Sequence, residues 1–209
     1  MYYDLLSKRG ENINLTAISG AKNVTELHFL DSIAPLYFAP FLNKKVIDIG
    51  SGAGFPGVPL KLAEPTIDLT LLDATKKRVN FLSELCCVLS INAICIHARA
   101  EDAAHNPQIR EQYDICVSRA VAKLNILCEL CLPFVAVGGL FIAMKSTGSD
   151  EELEASQNAI TTLGAITQQQ DNYTIADTDI THRIIVIQKT SPTPDKYPRR
   201  FSRIQNSPL

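Results

Sequence analysis

Short apolar runs recur along this chain, and stretches with helical spacing fill the gaps between them. Val46-Ile-Asp-Ile runs into a glycine cluster, and Leu69–Leu72, Ala93–His97, Ile115–Ser118 and Gly139–Met144 follow it in the same style. Apolar runs of this length bounded by turn residues read as strands. Their regular alternation with helical segments predicts βαβ units, hence a mostly parallel sheet with helices on both faces. Ahead of the first strand, apolar spacing predicts helix over Val24–Phe38, with Pro35 as a break. After Lys145 the stretch Ser149-Asp-Glu-Glu-Leu-Glu predicts a helix start, because negative charge suits the N-terminal end of the helix dipole. Ile184-Ile-Val-Ile reads as the last strand, and the proline-rich Thr190-Ser-Pro-Thr-Pro-Asp-Lys-Tyr-Pro segment predicts the end of the core. The chain thus divides into a short helical N-terminal cap over 1–42, an α/β domain over 43–190 and a basic C-terminal tail over 191–209.

Composition narrows the class. At 209 residues the chain has one domain's worth of sequence, and 46% hydrophobic against 20% charged residues is enough to bury a core, which excludes a disordered chain. No apolar run approaches the roughly 20 residues of a membrane span; even Ile126–Leu140 is interrupted by Glu129, Pro133 and a glycine pair. The start Met-Tyr-Tyr-Asp-Leu-Leu-Ser-Lys-Arg lacks the basic, apolar and small-residue regions of a secretory signal, so a cytoplasmic location is expected. In that compartment the six cysteines read as reduced thiols. The one C-x-x-C, Cys128 to Cys131, lies in an apolar run without a companion pair, so no metal site is expected there. A net charge of −2 argues against a polyanionic partner, but its distribution reverses the argument: residues from Arg183 onward carry +5 and the rest −7.

The candidate chemistry starts at Asp48-Ile-Gly50-Ser-Gly52-Ala-Gly54-Phe55-Pro56-Gly57, directly after the first strand. Its glycines allow a tight turn and close approach of a ligand to the backbone. Gly52 to Gly57 also fits the dinucleotide pattern G-x-G-x-x-G, which keeps a nicotinamide-dependent oxidoreductase in view. Against it, Pro56 and Pro59 stand where a pyrophosphate-binding helix needs free N–H groups, and an acid stands two places before Gly50. A D-x-G-x-G-x-G loop instead suits S-adenosylmethionine, with Asp48 accepting from nearby polar groups. Asp73 ends the second strand, where a carboxylate can accept from ribose hydroxyls under either cofactor reading; a helix cap before Lys76-Lys-Arg is its plainer role. Ala98-Arg-Ala100-Glu101-Asp102 ends the third strand as an adenine contact or as an ordinary surface turn. Arg119 ends the fourth strand on the same rim, placed for ligand or substrate, or for pairing with Asp114 or Glu129.

Together these stretches resemble the bacterial small-subunit ribosomal RNA guanine-N7 methyltransferase family, also called RsmG or GidB. The resemblance is carried by Asn14-Leu-Thr16, His28-Phe-Leu-Asp31-Ser, Asp48 to Gly57, Thr70-Leu-Leu-Asp73 with Lys77-Arg78 and Phe81-Leu82, Arg99-Ala-Glu101-Asp, Ser118-Arg119-Ala120, Gly138-Gly139 to Lys145, and Lys196-Tyr-Pro-Arg-Arg200. It spans nearly the whole chain, and the Phe-Pro-Gly continuation of the glycine loop is its most specific part. The resemblance implies a Rossmann-like class I methyltransferase domain over 43–190, S-adenosylmethionine as cofactor, and 16S ribosomal RNA or the small ribosomal subunit as partner; a monomer is the expected state, though no sequence feature fixes it. It assigns cofactor contacts to Gly50, Phe55, Ala100, Glu101 and Arg119, to which the loop and strand argument adds Asp48, Gly52 and Asp73. The chain departs from the family pattern at Ser7-Lys-Arg-Gly, at Ser146 after Lys145, and at Phe201-Ser-Arg-Ile-Gln-Asn.

Guanine N7 carries an in-plane lone pair and no proton, so its methylation needs positioning rather than a general base. No catalytic residue is therefore assigned, and none of His28, His97, His105 and His182 has a nucleophile partner in sequence. His28 and Asp31 are spaced to share a helix face, in a structural or a substrate-side role. Phosphate contacts are expected from Lys196, Arg199, Arg200 and Arg203, with Lys145 as a further candidate and Tyr197 available to stack. A non-catalytic protein binding S-adenosylmethionine or RNA remains the other class.

Overall fold

The computed structural model of the chain describes residues 1–13, 15, 20–119, 121–147 and 150–209; Asn14, Thr16, Ala120 and Ser149, named above, lie outside the described residues. Seven strands are found there: β1 Lys45–Ile49, β2 Asp68–Asp73, β3 Ala93–His97, β4 Tyr113–Arg119, β5 Val135–Ser146, β6 Ala165–Thr174 and β7 Thr181–Lys189. They form one sheet in the order β3-β2-β1-β4-β5-β7-β6. The first five are mutually parallel, as the alternation predicts, while β7 runs antiparallel to both β5 and β6. Sequence reasoning misses β6. Its Ala-Ile-Thr-Gln-Gln-Gln-Asp-Asn-Tyr-Thr has little apolar content because it is an edge strand with one partner, a bulge between Thr167 and Gln169, and side chains that alternate towards solvent.

The helices are α1 Tyr2–Ile13, α2 Ala21–Val24, α3 Asp31–Ile33, α4 Gly57–Ala63, α5 Lys76–Val88, α6 Ala100–Ala103, α7 Leu124–Cys131, α8 Asp150–Glu154, α9 Gln157–Thr162 and α10 Phe201–Asn206. Between α2 and α3 a π turn covers Thr25–Leu30, and a 3-10 turn over Ala34–Tyr37 contains Pro35, so the expected helix is present but changes pitch three times. Two buried clusters flank the sheet. One joins Leu127, Phe134, Phe141, Ile160 and Ile204; the other joins Leu6, Val58, Leu82, Leu85 and Ile142. None of the described helices is long and apolar enough to cross a membrane.

The C-terminal segment departs from expectation. It does not leave the core as a tail: Thr193, Tyr197 and Ile204 are buried. Glu129, fully buried on α7, is the reason. Its carboxylate accepts from the Arg199 backbone N–H at 2.7 Å, from Nε at 2.9 Å and from Nη2 at 2.6 Å. A buried carboxylate requires a partner, and the chain returns to supply one. His105 Nε2 lies 2.9 Å from the Pro198 carbonyl, and Arg110 donates to the Tyr197 and Thr193 carbonyls at 3.0 and 2.9 Å. Tyr197, expected to stack on RNA, instead packs inward with Lys196 and Arg199 over its ring. Net charge counts cations without telling which are already spent on carboxylates.

Removing the Arg199 side chain would strand the Glu129 charge in the core. Arg199→Ala should destabilise the fold by about 3 kcal/mol, whereas exposed Arg200→Ala should stay within about 0.5 kcal/mol. Urea denaturation of the two variants checks the contrast.

Candidate active site

β1 and β4 lie side by side while their following segments leave in different directions, which opens a crevice at their carboxyl ends. The glycine loop enters it. Gly50 and Ser51 both donate to the Leu72 carbonyl, at 2.9 and 3.2 Å, and this turn requires φ of +76° at Gly50. Beneath the loop Asp48 Oδ2 accepts from the Gly57 N–H at 2.9 Å, and a Cβ at Gly57 would stand 2.8 Å from that oxygen. Asp73 braces the loop from β2: Oδ2 accepts from the Gly52 N–H at 3.0 Å and Oδ1 from the Thr75 N–H at 2.7 Å.

Two clefts meet at Gly50. The larger, about 410 Å³, is lined by Gly50, Gly52, Phe55 and Arg119 together with Asp31 and His182. The smaller, about 180 Å³, is lined by Gly50, Ala100, Glu101, Val121, Leu130 and Phe201. The structure therefore gathers six of the eight sequence-derived cofactor candidates around one glycine. Asp48 is not among the cleft-lining residues, being fully buried under the loop, and Asp73 serves the loop's amides. With the Gly57 N–H taken by Asp48 and Pro59 offering none, the start of α4 has little to give a pyrophosphate. A Cβ at Gly52 would find, among the described residues, only the Gly50 carbonyl, at 3.8 Å, which leaves space for a ligand to approach the backbone.

Arg119 is the most heavily engaged residue of the larger cleft. Nη1 donates to Asp31 Oδ2 at 2.8 Å and to the Leu27 carbonyl at 3.2 Å, and Nη2 lies 2.9 Å from His28 Nδ1. The other Asp31 oxygen accepts from Tyr173 Oη at 2.7 Å and from His182 Nδ1 at 2.8 Å. Burial works to raise the Asp31 pKa, but the bonds from His182, Tyr173 and Arg119 prevail and hold it below the usual carboxylate range. Burial, then the nearby guanidinium, push His28 down to about 4. His28 is thus neutral at pH 7; because arginine only donates, its Nδ1 is the acceptor and its proton sits on Nε2. Its ring stacks on Phe55 at 4.6 Å, and Tyr2 stacks on Phe55 at 5.2 Å while donating to the Ala53 carbonyl. The shared face of His28 and Asp31 was visible in their spacing. Tyr173, His182 and Phe201 come from the last hairpin and the C-terminal helix, and nothing in the sequence links them to the loop.

Of the expected phosphate contacts, Lys196, Arg200 and Arg203 are exposed. Arg199 is held by Glu129, and Lys145 donates to the Ala122 carbonyl at 2.9 Å and to Glu152 Oε1 at 2.8 Å. Cys128 and Cys131 are fully buried in α7.

The GidB family model, described as rRNA small subunit methyltransferase G, matches residues 1–181. A protein named Ribosomal RNA small subunit methyltransferase G from Alkaliphilus oremlandii is 46% identical over 211 residues, covering 100% of this chain and 88% of its own. One of the same name from Thermoanaerobacter sp. is 45% identical over 210 residues, with the same coverage. Among solved structures, M. jannaschii TYW2 in complex with AdoMet has a TM-score of 0.59 at 13% identity, covering 82% of this chain and 77% of its own. TrmN from Thermus thermophilus has a TM-score of 0.53 at 17% identity, covering 76% of this chain and 48% of its own. Likeness at these identities concerns the fold, which is the Rossmann-like class I methyltransferase fold.

Burial pushes the Asp48 carboxyl up to about 7, against the opposing hydrogen bond from Gly57. The folded state thus favours the protonated form, and ionisation erodes stability as pH rises from the ordinary 3.8 to about 7. Asp48→Asn keeps an oxygen for the Gly57 N–H and carries no charge. Its melting temperature should gain on that of the parent between pH 5 and pH 8; a difference independent of pH would contradict the shift. Asp31→Ala, which leaves Arg119 without its carboxylate, should cost about 3 kcal/mol at neutral pH by the same denaturation measurement.

Proposed function

Because the chain belongs to the rRNA small subunit methyltransferase G family, we propose that it transfers a methyl group from S-adenosylmethionine to N7 of a guanine in 16S ribosomal RNA. The observation that carries this reading is the meeting of two clefts at Gly50, with Phe55 and Arg119 in one and Ala100 and Glu101 in the other. Those five residues, with Gly52 and Asp73, would hold the cofactor, and Asp48 would act from below by fixing the loop. When bound, the cofactor supplies a methyl group on a positively charged sulfur. The apolar lining of the smaller cleft and the acid at its rim suit a heterocycle bearing an amino group.

The guanine N7 lone pair points in the ring plane and bears no proton, so the residues here need only exclude water and fix the angle of approach. N7 becomes cationic as the bond forms, and a bare positive charge nearby would oppose it. Both cleft cations are balanced: Arg119 by Asp31 and Lys145 by Glu152. Neutral His28 adds no charge at pH 7.

Exposed Lys196, Arg200 and Arg203 would neutralise phosphates, while Arg199 holds their segment in place and Lys145, already paired with Glu152, would add little. The protein would act in the cytoplasm as a monomer, on 16S RNA free or in the small subunit. The deciding experiment transfers labelled methyl from S-adenosylmethionine to small-subunit RNA or subunits, followed by nucleoside analysis. N7-methylguanosine is the expected product; label at another atom, or none, overturns the assignment. The combined Lys196→Ala, Arg200→Ala, Arg203→Ala variant should bind RNA more weakly and lower the slope of log affinity against log salt by about three. Its affinity for S-adenosylmethionine should stay unchanged, and an unchanged salt slope would remove this segment from the RNA interface.

A further inference from the structure

The smaller cleft has a wall that the glycine-loop argument does not supply. Phe201, the first residue of α10, lines it together with Gly50, Leu72 and Ala100. It is half-buried and packs against the cluster that contains Leu130. The segment carrying it is fastened on both sides of the cleft. Glu129 on α7 grips Arg199 two residues earlier, and His105, just after α6, meets the Pro198 carbonyl. Ile204, one helical turn later and fully buried, anchors the far side. An aromatic ring held this firmly beside an apolar slot with a carboxylate at its rim offers a stacking face to a planar heterocycle.

We propose that Phe201 forms the outer wall of the adenine subsite, and that the Glu129–Arg199 pair is the positioning device that sets its place. The proposal rests on the reading of S-adenosylmethionine as cofactor. It gives the C-terminal segment two faces: Arg200 and Arg203 towards RNA phosphates, and Phe201 between them in sequence towards the nucleoside.

Calorimetric titration of the full chain with S-adenosylmethionine, S-adenosylhomocysteine and adenosine tests it. Phe201→Ala should weaken all three about tenfold, since an aromatic–base stack is of that size and adenosine shares only the nucleoside. Phe201→Tyr should restore binding to within about twofold, and Phe201→Leu, which keeps apolar volume for folding, should fall between. Arg199→Lys keeps the charge but loses the paired hydrogen bonds. It should weaken S-adenosylmethionine binding about threefold when Phe201 is present and not when residue 201 is alanine, because the two act as one unit. Equal affinities for the parent, the Phe201→Leu variant and a folded Phe201→Ala variant overturn the proposal. So does an Arg199→Lys effect of equal size in both backgrounds. A parent that binds no S-adenosylmethionine overturns the cofactor reading as well, which separates the two failures.

Discussion

Asp31 is a carboxylate with 1% of its surface exposed, and burying such a charge costs several kcal/mol unless it is fully partnered. Its partners arrive from three distant places: Arg119 at the end of β4, Tyr173 from β6 and His182 from β7. The requirement to satisfy one charge therefore ties the helical segment before β1 to the middle of the sheet and to its antiparallel edge. Arg119 passes the constraint onward, touching His28 and facing the Phe55 ring at 5.3 Å. Phe55 in turn is stacked by Tyr2 from α1, which also holds the loop at the Ala53 carbonyl. The groups lining the larger cleft thus hold one another through a continuous set of hydrogen bonds and ring contacts. The π turn before α3 belongs to the same arrangement: its residues Leu27 and His28 both face the guanidinium.

The same rule closes the other side of the molecule. Glu129 captures Arg199, and fully buried Lys189 donates to Glu111 at 2.8 Å and to the Leu132 and Val135 carbonyls at 2.9 and 3.3 Å. Glu111 also accepts from the Thr193 N–H at 2.7 Å, so the segment after β7 is stitched down where it leaves the sheet. Burial works to lower the Lys189 pKa while Glu111 works to raise it, and the balance falls below the usual lysine value. Charges that composition assigns to a basic surface are, in three of six cases from Arg183 onward, structural cations: Arg183 is buried against Asn172, Lys189 against Glu111, and Arg199 is paired with Glu129.

What the sequence made legible follows from locality. The parallel strands could be read because each is a short apolar run between turns, and the loop because its glycines and acids are adjacent. The position of Arg119 at the rim of the larger cleft followed from the end of its strand. Its partners did not, because Asp31, Tyr173 and His182 are brought together by sheet order. β6 was invisible for a related reason: an edge strand buries few side chains, so its composition imitates a loop. The C-terminal segment misled in the opposite direction. Its prolines and cations resemble a solvated tail, and the groups that fold it back, Glu129, Glu111, His105 and Arg110, stand far from it in sequence.

Three acids near the loop illustrate how acceptor capacity separates roles that residue type alone leaves merged. A carboxylate offers about four lone-pair sites. Asp31 spends three of them, with nearly no exposed surface left, and so can only position others. Asp48 has an oxygen, Oδ1, without a hydrogen-bond partner among the described residues; it is fully buried under the loop, and that burial is what raises its pKa. Asp73 spends two sites on the Gly52 and Thr75 amides. Arg78 Nη1 stands 3.7 Å from its Oδ2, and the carboxylate is buried, so its part is to hold the loop against the end of β2. Of the three, Asp73 ties the loop to a second strand, whereas Asp48 holds it from the loop's own strand and Asp31 reaches it through Arg119.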